Sequence, residues 1–454
     1  MNGKLLVWKN TLNRVPEELL LKSISIKKVN LEVSNACIRN PGTSRSQEWI
    51  NHQFMYLEPM RTKDQSIEAL RQDTPGTEHV IHFNNAGCAL PTRQTLEAIR
   101  NYQDREALYG GYEVMAEYAD QIKQTHREIA TLIQAREEDI ALTENASSSF
   151  NRALYAFDWK PGEVLLTSDI EYGNNYLNYL WLKEKWGIEI KIIESGTDGR
   201  VDPADFARSI TAKTRMIAVT HMPTNSGIIY DVAGVGEIAR QYGISYLVDA
   251  CQTAGQLPLN VSDIGCDFLC ATSRKYLRGP RGFGFLYVNP DILPKIKPQW
   301  LDMHAATWSG LDSYEMDPSA KMFEQWEVSY GNMMGLSAAV AYANELGPDF
   351  IWQRIHYLAK NLRQALTDIP GISLHDRGSH LGGIVSFTVA NQHPKVVKET
   401  LGRQNINTSL SPAASSFLDM QRKGLLMVNR ASVHYYNTEE EISQLAQALM
   451  KWTL

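Results

Sequence analysis

The chain has 454 residues, 43% of them hydrophobic and 21% charged, with 45 Lys and Arg against 51 Asp and Glu for a formal net charge of −6. Chains beyond roughly 250–300 residues outgrow a single core, so at least two domains are expected. The mild acidity, without any single-sign block, argues against a nucleic-acid or membrane-surface binder, either of which needs a basic stripe. Five scattered cysteines give neither a disulfide frame nor the paired C-x-x-C of a zinc site. No run of about 18 uncharged apolar residues predicts a membrane span.

Residues 1–76 are mixed in polarity, lack a clear period, and end in the turn-like Thr74-Pro75-Gly76-Thr77. Glu17 and Glu18 precede the short Leu19-Leu20-Leu21 run and no small-residue cleavage site follows, so secretion is not expected and the cytoplasm is the default. The leader reads equally as an extension, a disordered arm or the product of an upstream start codon. Further on, Thr143-Glu144-Asn145-Ala146-Ser147-Ser148-Ser149 puts hydroxyls and small residues ahead of a helix over 150–156. Free N–H groups at such a helix start favour anions.

From 162 to 288, strand and helix patterns alternate. Mostly apolar runs predict strands over 164–168, 188–193, 216–220, 244–248, 267–272 and 285–288. Helices are expected over 174–186, after the Asp202-Pro203 start, and over 232–242 between the Asp231 cap and Gly243. Strands buried on both faces and separated by helices require a parallel α/β sheet. The last third turns to a smaller α+β pattern: a helix over 349–366, a strand over 384–389, another helix, and a closing helix over 438–452 opened by the capping box Thr438-x-x-Glu441.

Ligands of such sheets sit at the carboxyl ends of the strands. Asp249-Ala250-Cys251-Gln252 follows one predicted strand and Ser273-Arg274-Lys275 follows another. An acid and a lysine in one crevice suit a cofactor with an aldehyde and a basic ring nitrogen, the lysine forming the imine and the carboxylate keeping the ring nitrogen protonated. At roughly 3 Å and an effective dielectric near 20, that ion pair is worth on the order of 5 kcal/mol. Taken singly, each element has a plainer reading as a helix cap, a solvated lysine or an N-cap cluster. The run Gly279-x-x-Gly282-x-Gly284 reverses the dinucleotide spacing and leads into a strand, and no Walker-type loop occurs.

Together these elements are more specific. The stretch Cys266-Asp267-Phe268-Leu269-Cys270-Ala271-Thr272-Ser273-Arg274-Lys275, with Gly282-Phe283-Gly284-Phe285-Leu286 after it, resembles the lysine signature of the class V aminotransferases. These are fold-type-I pyridoxal-phosphate enzymes that include cysteine desulfurases, isopenicillin-epimerase-like proteins and C–S lyases. The resemblance runs from about His82 to the C-terminus. It implies an aspartate-aminotransferase-like α/β fold: an extension over 1–76, a large domain over 77–335 with a mixed, mostly parallel sheet, and a small α+β domain over 336–454. It implies pyridoxal 5'-phosphate as cofactor, with Lys275 as the Schiff-base lysine that also moves the substrate α-proton. Asp249 would meet the ring nitrogen, Gln252 the ring hydroxyl, and Tyr172 the ring face. Ala146, Ser147 and Thr272 would hold the phosphate, and Thr224 would face the ring hydroxyl or the substrate. Arg430 would take the substrate α-carboxylate in its guanidinium fork, and Asn85, in Asn84-Asn85-Ala86-Gly87, would also meet substrate. A small amino acid as substrate, no metal, and a homodimer with shared active sites are implied as well. Residues 323–327 and Asn332 would lie near the partner's site.

One departure bears on the reaction. Persulfide-forming desulfurases of this family carry a cysteine on a small-domain loop ahead of the carboxylate arginine. The corresponding segment here, Asn407-Thr408-Ser409-Leu410-Ser411-Pro412-Ala413-Ala414-Ser415-Ser416, has none, and the last cysteine in the chain is Cys270. Cys88, in the N-terminal loop, reads as a small buried filler. The expected reaction is therefore C–S lysis by β-elimination from a cysteine conjugate, which needs no such thiol. Transamination, epimerisation and a binding protein that has lost catalysis are the alternatives. The stretch 304–308 and Tyr112 read either as substrate contacts or as dimer packing.

Overall fold

The structure is a computed structural model and describes residues 66–452. Seven strands form the central sheet: β1 Ile140–Thr143, β2 Val164–Ser168, β3 Glu189–Ile193, β4 Thr214–Thr220, β5 Ser245–Asp249, β6 Phe268–Thr272 and β7 Gly284–Val288. Their spatial order is β1-β7-β6-β5-β4-β2-β3; β7 is antiparallel to both neighbours and every other pair is parallel. Six of these strands match predicted runs and β1 was not predicted; the runs are near-continuously apolar where both faces are covered, whereas β3, at the sheet edge, leaves Glu189 and Lys191 exposed. Met216, Ala218, Leu247 and Phe268 pack into one core, while Ile217, Val219, Val248 and Leu269 pack into the other.

The connecting helices start and stop where the caps predict. Asp202 accepts the Ala204 N–H ahead of helix Pro203–Ser209, and Asp231 accepts the Gly234 N–H ahead of helix Val232–Tyr242, which ends at the left-handed Gly243. A second sheet, antiparallel throughout, runs β8-β9-β11-β10 with β8 Ile372–Leu374, β9 Ile384–Val389, β10 Ser409–Pro412 and β11 Met427–Ser432. Of these only β9 was legible in the sequence. The closing helix Glu439–Met450 carries the predicted capping box.

Two features differ from the expected domain layout. The boundary at 335 falls inside the continuous helix Tyr330–Leu346, which packs against helix Arg93–Tyr109. A Cβ on Gly335 would lie 2.5 Å from Ile99 Cγ1, so glycine is what lets the two helices approach. Residues 66–76, grouped with the extension by sequence, are built into the fold. Leu70 is buried, Arg71 pairs with Glu441 at 2.8 Å, and the Thr74 hydroxyl accepts from Arg278 at 2.6 Å. The rest of the extension, 1–65, lies outside the described residues. Among the described residues no helix is long and apolar enough to cross a membrane.

Candidate active site

The carboxyl ends of β4, β5 and β6, the turn after β2 and the helix start after β1 converge on a pocket of about 190 Å³. All eight residues expected to hold the cofactor line it: Ala146, Ser147, Tyr172, Thr224, Asp249, Gln252, Thr272 and Lys275. Residues separated by up to 129 positions thus meet because parallel strands end at one edge of the sheet.

The phosphate cradle begins earlier than its sequence predicts. The helix runs Ala146–Leu154 and not from 150, with Asn145 as its cap accepting from the Ser148 N–H at 3.0 Å. Ala146 and Ser147 are therefore its first two residues, and their N–H groups, which a helix cannot satisfy internally, border the pocket. A Cβ on Gly284 would lie 2.6 Å from Asn145 C and 2.7 Å from Ala146 N. Gly284, the last glycine of that run, is thus explained by the cradle resting directly on β7.

Asp249, the last residue of β5, is 4% exposed. Its Oδ1 accepts the Cys251 N–H at 2.9 Å and its Oδ2 accepts from Asn175 Nδ2 at 2.8 Å. Among the described residues the Lys275 amine has no carboxylate or other hydrogen-bonding partner within reach, and burial pulls its pKa down from the ordinary lysine value, against the opposing pull of Cys251 and Asp249 and with Arg274 and Arg430 adding to the fall. Gln252 donates from Nε2 to the Ala86 carbonyl at 3.2 Å, but its Oε1 is buried without a partner. Tyr172 caps helix Gly173–Trp186 at the pocket edge and is 37% exposed.

Arg430, in the middle of β11, is 6% exposed and has no acid partner among the described residues. Its Nη1 donates to the Thr224 carbonyl at 2.7 Å and hydroxyl at 2.8 Å, and its Nε donates to the Ser409 hydroxyl at 2.9 Å. Burial lowers its pKa to about 10, which leaves it cationic at neutral pH. Thr224 therefore helps hold the guanidinium in place while it also lines the pocket. Asn85 needs correction: it is fully buried, donates to the Ser432 carbonyl at 2.7 Å and the His82 carbonyl at 3.1 Å, and accepts from the Tyr436 hydroxyl. Its amide is committed to packing the N-terminal loop against β11 and has nothing left for a substrate.

The aminotransferase class-V family matches residues 81–445. The chain belongs to the class V aminotransferases. It is 28% identical over 400 residues to a protein from Methanothermobacter thermautotrophicus named probable cysteine desulfurase, covering 86% of this chain and 98% of that one. A similarly named protein of Pyrococcus abyssi is 28% identical over 382 residues, covering 83% and 94%. Among solved structures, the apo cysteine desulfurase of Thermococcus onnurineus NA1 superposes with a TM-score of 0.80 at 26% identity, covering 85% of this chain and 98% of that one. As a member of this family the chain is an enzyme whose cofactor is pyridoxal 5'-phosphate. The pocket fits that group. Unshared helix N–H groups suit a phosphate, the orphaned Gln252 Oε1 suits a ring hydroxyl, and a buried carboxylate without a cation suits a protonated ring nitrogen.

In this class V enzyme the segment 407–416 packs onto the turn that carries Tyr172. The Ser416 hydroxyl donates to the Ile170 carbonyl at 3.4 Å and the Glu171 carbonyl at 3.3 Å. A Cβ on Gly173 would lie 2.1 Å from the Ala414 carbonyl oxygen. Gly173→Ala is accordingly expected to separate the two segments and to destabilise the protein by about 1–3 kcal/mol, read as a lower thermal midpoint together with weaker binding of pyridoxal phosphate.

Six further residues border the pocket: Asn145, Asn175, Thr220, Met222, Cys251 and Arg274. Asn175 and Thr220 carry no signal, since a polar residue in a helix or at a strand end is ordinary. Cys251 and Arg274 could have been found, because each adjoins a residue already singled out.

Proposed function

We propose that this enzyme is a C–S lyase that eliminates a thiolate from a cysteine conjugate without a catalytic cysteine. The observation that carries the reading is the segment 407–416, which has serine, alanine and proline but no thiol and is docked beside Tyr172. The curated relatives named probable cysteine desulfurases support a sulfur-bearing amino acid as substrate.

Bound, the cofactor supplies an aldehyde that condenses with an amine and a ring that accepts electron density. The chain's own residues do the rest. Arg430, anchored by Thr224 and Ser409, binds the substrate α-carboxylate and fixes which bond at Cα faces Lys275. Lys275, whose basicity burial lowers, takes the α-proton. The electron pair freed at Cα forms a double bond to Cβ as the Cβ–S bond breaks, and sulfur leaves as a thiolate. The released aminoacrylate hydrolyses to pyruvate and ammonia. Asp249 would keep the cofactor's ring nitrogen protonated, and Tyr172 would border its ring.

Incubation of the holoenzyme with S-substituted cysteines is expected to release pyruvate and thiol in equal amounts. Amino transfer that depends on a keto acid, with no pyruvate from these conjugates, would replace this reading with transamination. A second reading has its own observation: Cys251 lines the pocket next to Asp249 and could accept sulfur as a desulfurase thiol does. Under the lyase reading Cys251→Ala leaves turnover intact. A loss beyond about tenfold, with the cofactor still bound, would favour the desulfurase.

The reading includes a homodimer. The hairpin Ala306–Gly310/Ser313–Met316 and its approach expose Met303 and Trp308 at 79% each and Leu311 at 90%, an apolar surface of the kind a second subunit covers.

A further inference from the structure

Behind the pocket lies a second acid that the mechanism above does not use. Glu171 is 3% exposed, and its carboxylate gathers donors from two strands, its own turn and the following helix. Oε1 accepts from the Thr220 hydroxyl, from the Tyr172 N–H at 2.8 Å and from Asn175 Nδ2 at 3.0 Å; Oε2 accepts from the Thr167 and Tyr179 hydroxyls, each at 3.1 Å. The same Asn175 Nδ2 donates to Asp249 Oδ2 at 2.8 Å. One amide group thus bridges two buried carboxylates, and neither has a cationic partner among the described residues.

Such a pair is costly to bury. Burial and the neighbouring Asp249 charge push the Glu171 pKa up to about 7, against the opposing pull of its donors. The titratable groups that face Glu171 are Asp249 from β5, Tyr179 from the following helix and Cys270 from β6. Burial keeps the phenol and the thiol neutral, so Asp249 is the charge Glu171 meets. A cation seated against Asp249 would relieve the strain on both acids.

We infer that Glu171 is a positioning residue that acts through Asn175, fixing the amide that aims Asp249 at the cofactor's ring nitrogen and adding a second negative charge behind it. This rests on the placement of the ring nitrogen at Asp249 proposed above. Each of the two Asn175 amide hydrogens serves one acid. Without Glu171 the amide is free to turn, and Asp249 Oδ2 loses the donor that sets its plane. A buried carboxylate one amide away also shifts the protonation of a nearby cation by on the order of one pH unit.

Glu171→Gln keeps the shape and the acceptor oxygen but removes the charge. In the holoenzyme, the pH midpoint of the visible absorbance of bound pyridoxal phosphate should fall by about one unit, because protonated forms lose a stabilising anion. Affinity for the cofactor should fall about tenfold. The apo protein offers an independent readout. Because the folded pKa of about 7 lies above the ordinary carboxylate value of 4.5, Glu171 stabilises least above pH 7, and the apo thermal midpoint should fall between pH 4.5 and 7 by an amount that Glu171→Gln lacks. In an Asn175→Ala background the substitution should move the absorbance midpoint by less, because only the through-space charge remains to be lost. An unchanged midpoint and affinity in folded Glu171→Gln, or a shift of the same size without Asn175, would overturn the inference. Should Glu171→Gln not fold, Asn175→Ala alone must move the midpoint the same way, and its failure to do so has the same force. Asp249→Asn separates the two levels: if it leaves the absorbance unaltered, the ring-nitrogen assignment fails, whereas a shift there without one in Glu171→Gln defeats only the role of Glu171.

Discussion

Lys275→Ala is expected to lower turnover by at least about a thousandfold, because both the amine that holds the cofactor and the base that moves the α-proton are lost. The fold should survive. Among the described residues the Lys275 amine has no acid partner, and burial penalises its charge, so its removal costs the apo protein few favourable contacts. Equal or higher apo thermal midpoints are expected, together with loss of the adduct that borohydride reduction otherwise traps. Cofactor should still bind through the cradle at Ala146 and Ser147, more weakly and reversibly. Substantial turnover in a folded Lys275→Ala protein would remove this lysine from the reaction. Unfolding would show instead that the strand-end turn 273–278 depends on it, although the Lys275 backbone carbonyl, which accepts the Arg278 N–H at 2.9 Å, is retained in the variant.

The reach of the sequence follows burial. Strands β2, β4, β5 and β6 were legible because both faces are covered, which writes a nearly continuous apolar run, and the acid and lysine at their ends stand out against it. Strand β11 was not. It carries Asn429, Arg430 and Ser432 in its interior, and their polarity hides a strand whose side-chain donors find partners far away in sequence, such as the Pro394, Thr224 and Phe83 carbonyls. The cradle helix was placed four residues late because Ala146-Ser147-Ser148-Ser149 reads as a polar loop; only the Asn145 cap marks its true start. The same limit explains the two asparagines of the N-terminal loop. Sequence shows a polar pair near the active-site motif, and only the hydrogen bonds from Asn85 to the Ser432 and His82 carbonyls reveal that it is structural. The Glu171–Asn175–Asp249 chain lay beyond pattern reading, since its spacing across two elements has meaning only once β5 and the helix start are side by side.

Arg430 offers the sharpest test of substrate orientation. Its guanidinium is fixed on one side by Thr224 and Ser409 and carries a charge that no acid among the described residues neutralises. Burying an unpaired cation is unfavourable, so its presence is best explained by an anion that arrives with the substrate. Charge-assisted hydrogen bonds of this kind contribute about 1.5–3 kcal/mol each, so Arg430→Gln should lower kcat/KM for S-substituted cysteines by roughly a hundredfold, chiefly through KM. Arg430→Lys should recover little of it, because a lysine ammonium cannot hold Thr224 and present a flat fork at once. A loss of packing alone would weaken all ligands alike. The discriminating measurement therefore compares each conjugate with the matching amine that lacks the α-carboxylate. Wild-type enzyme should bind the carboxylate-bearing partner far more tightly, and Arg430→Gln should bring the two together. If the preference persists in the variant, the carboxylate is held elsewhere, and Arg274, which lines the pocket and has no acid partner among the described residues, becomes the residue to replace.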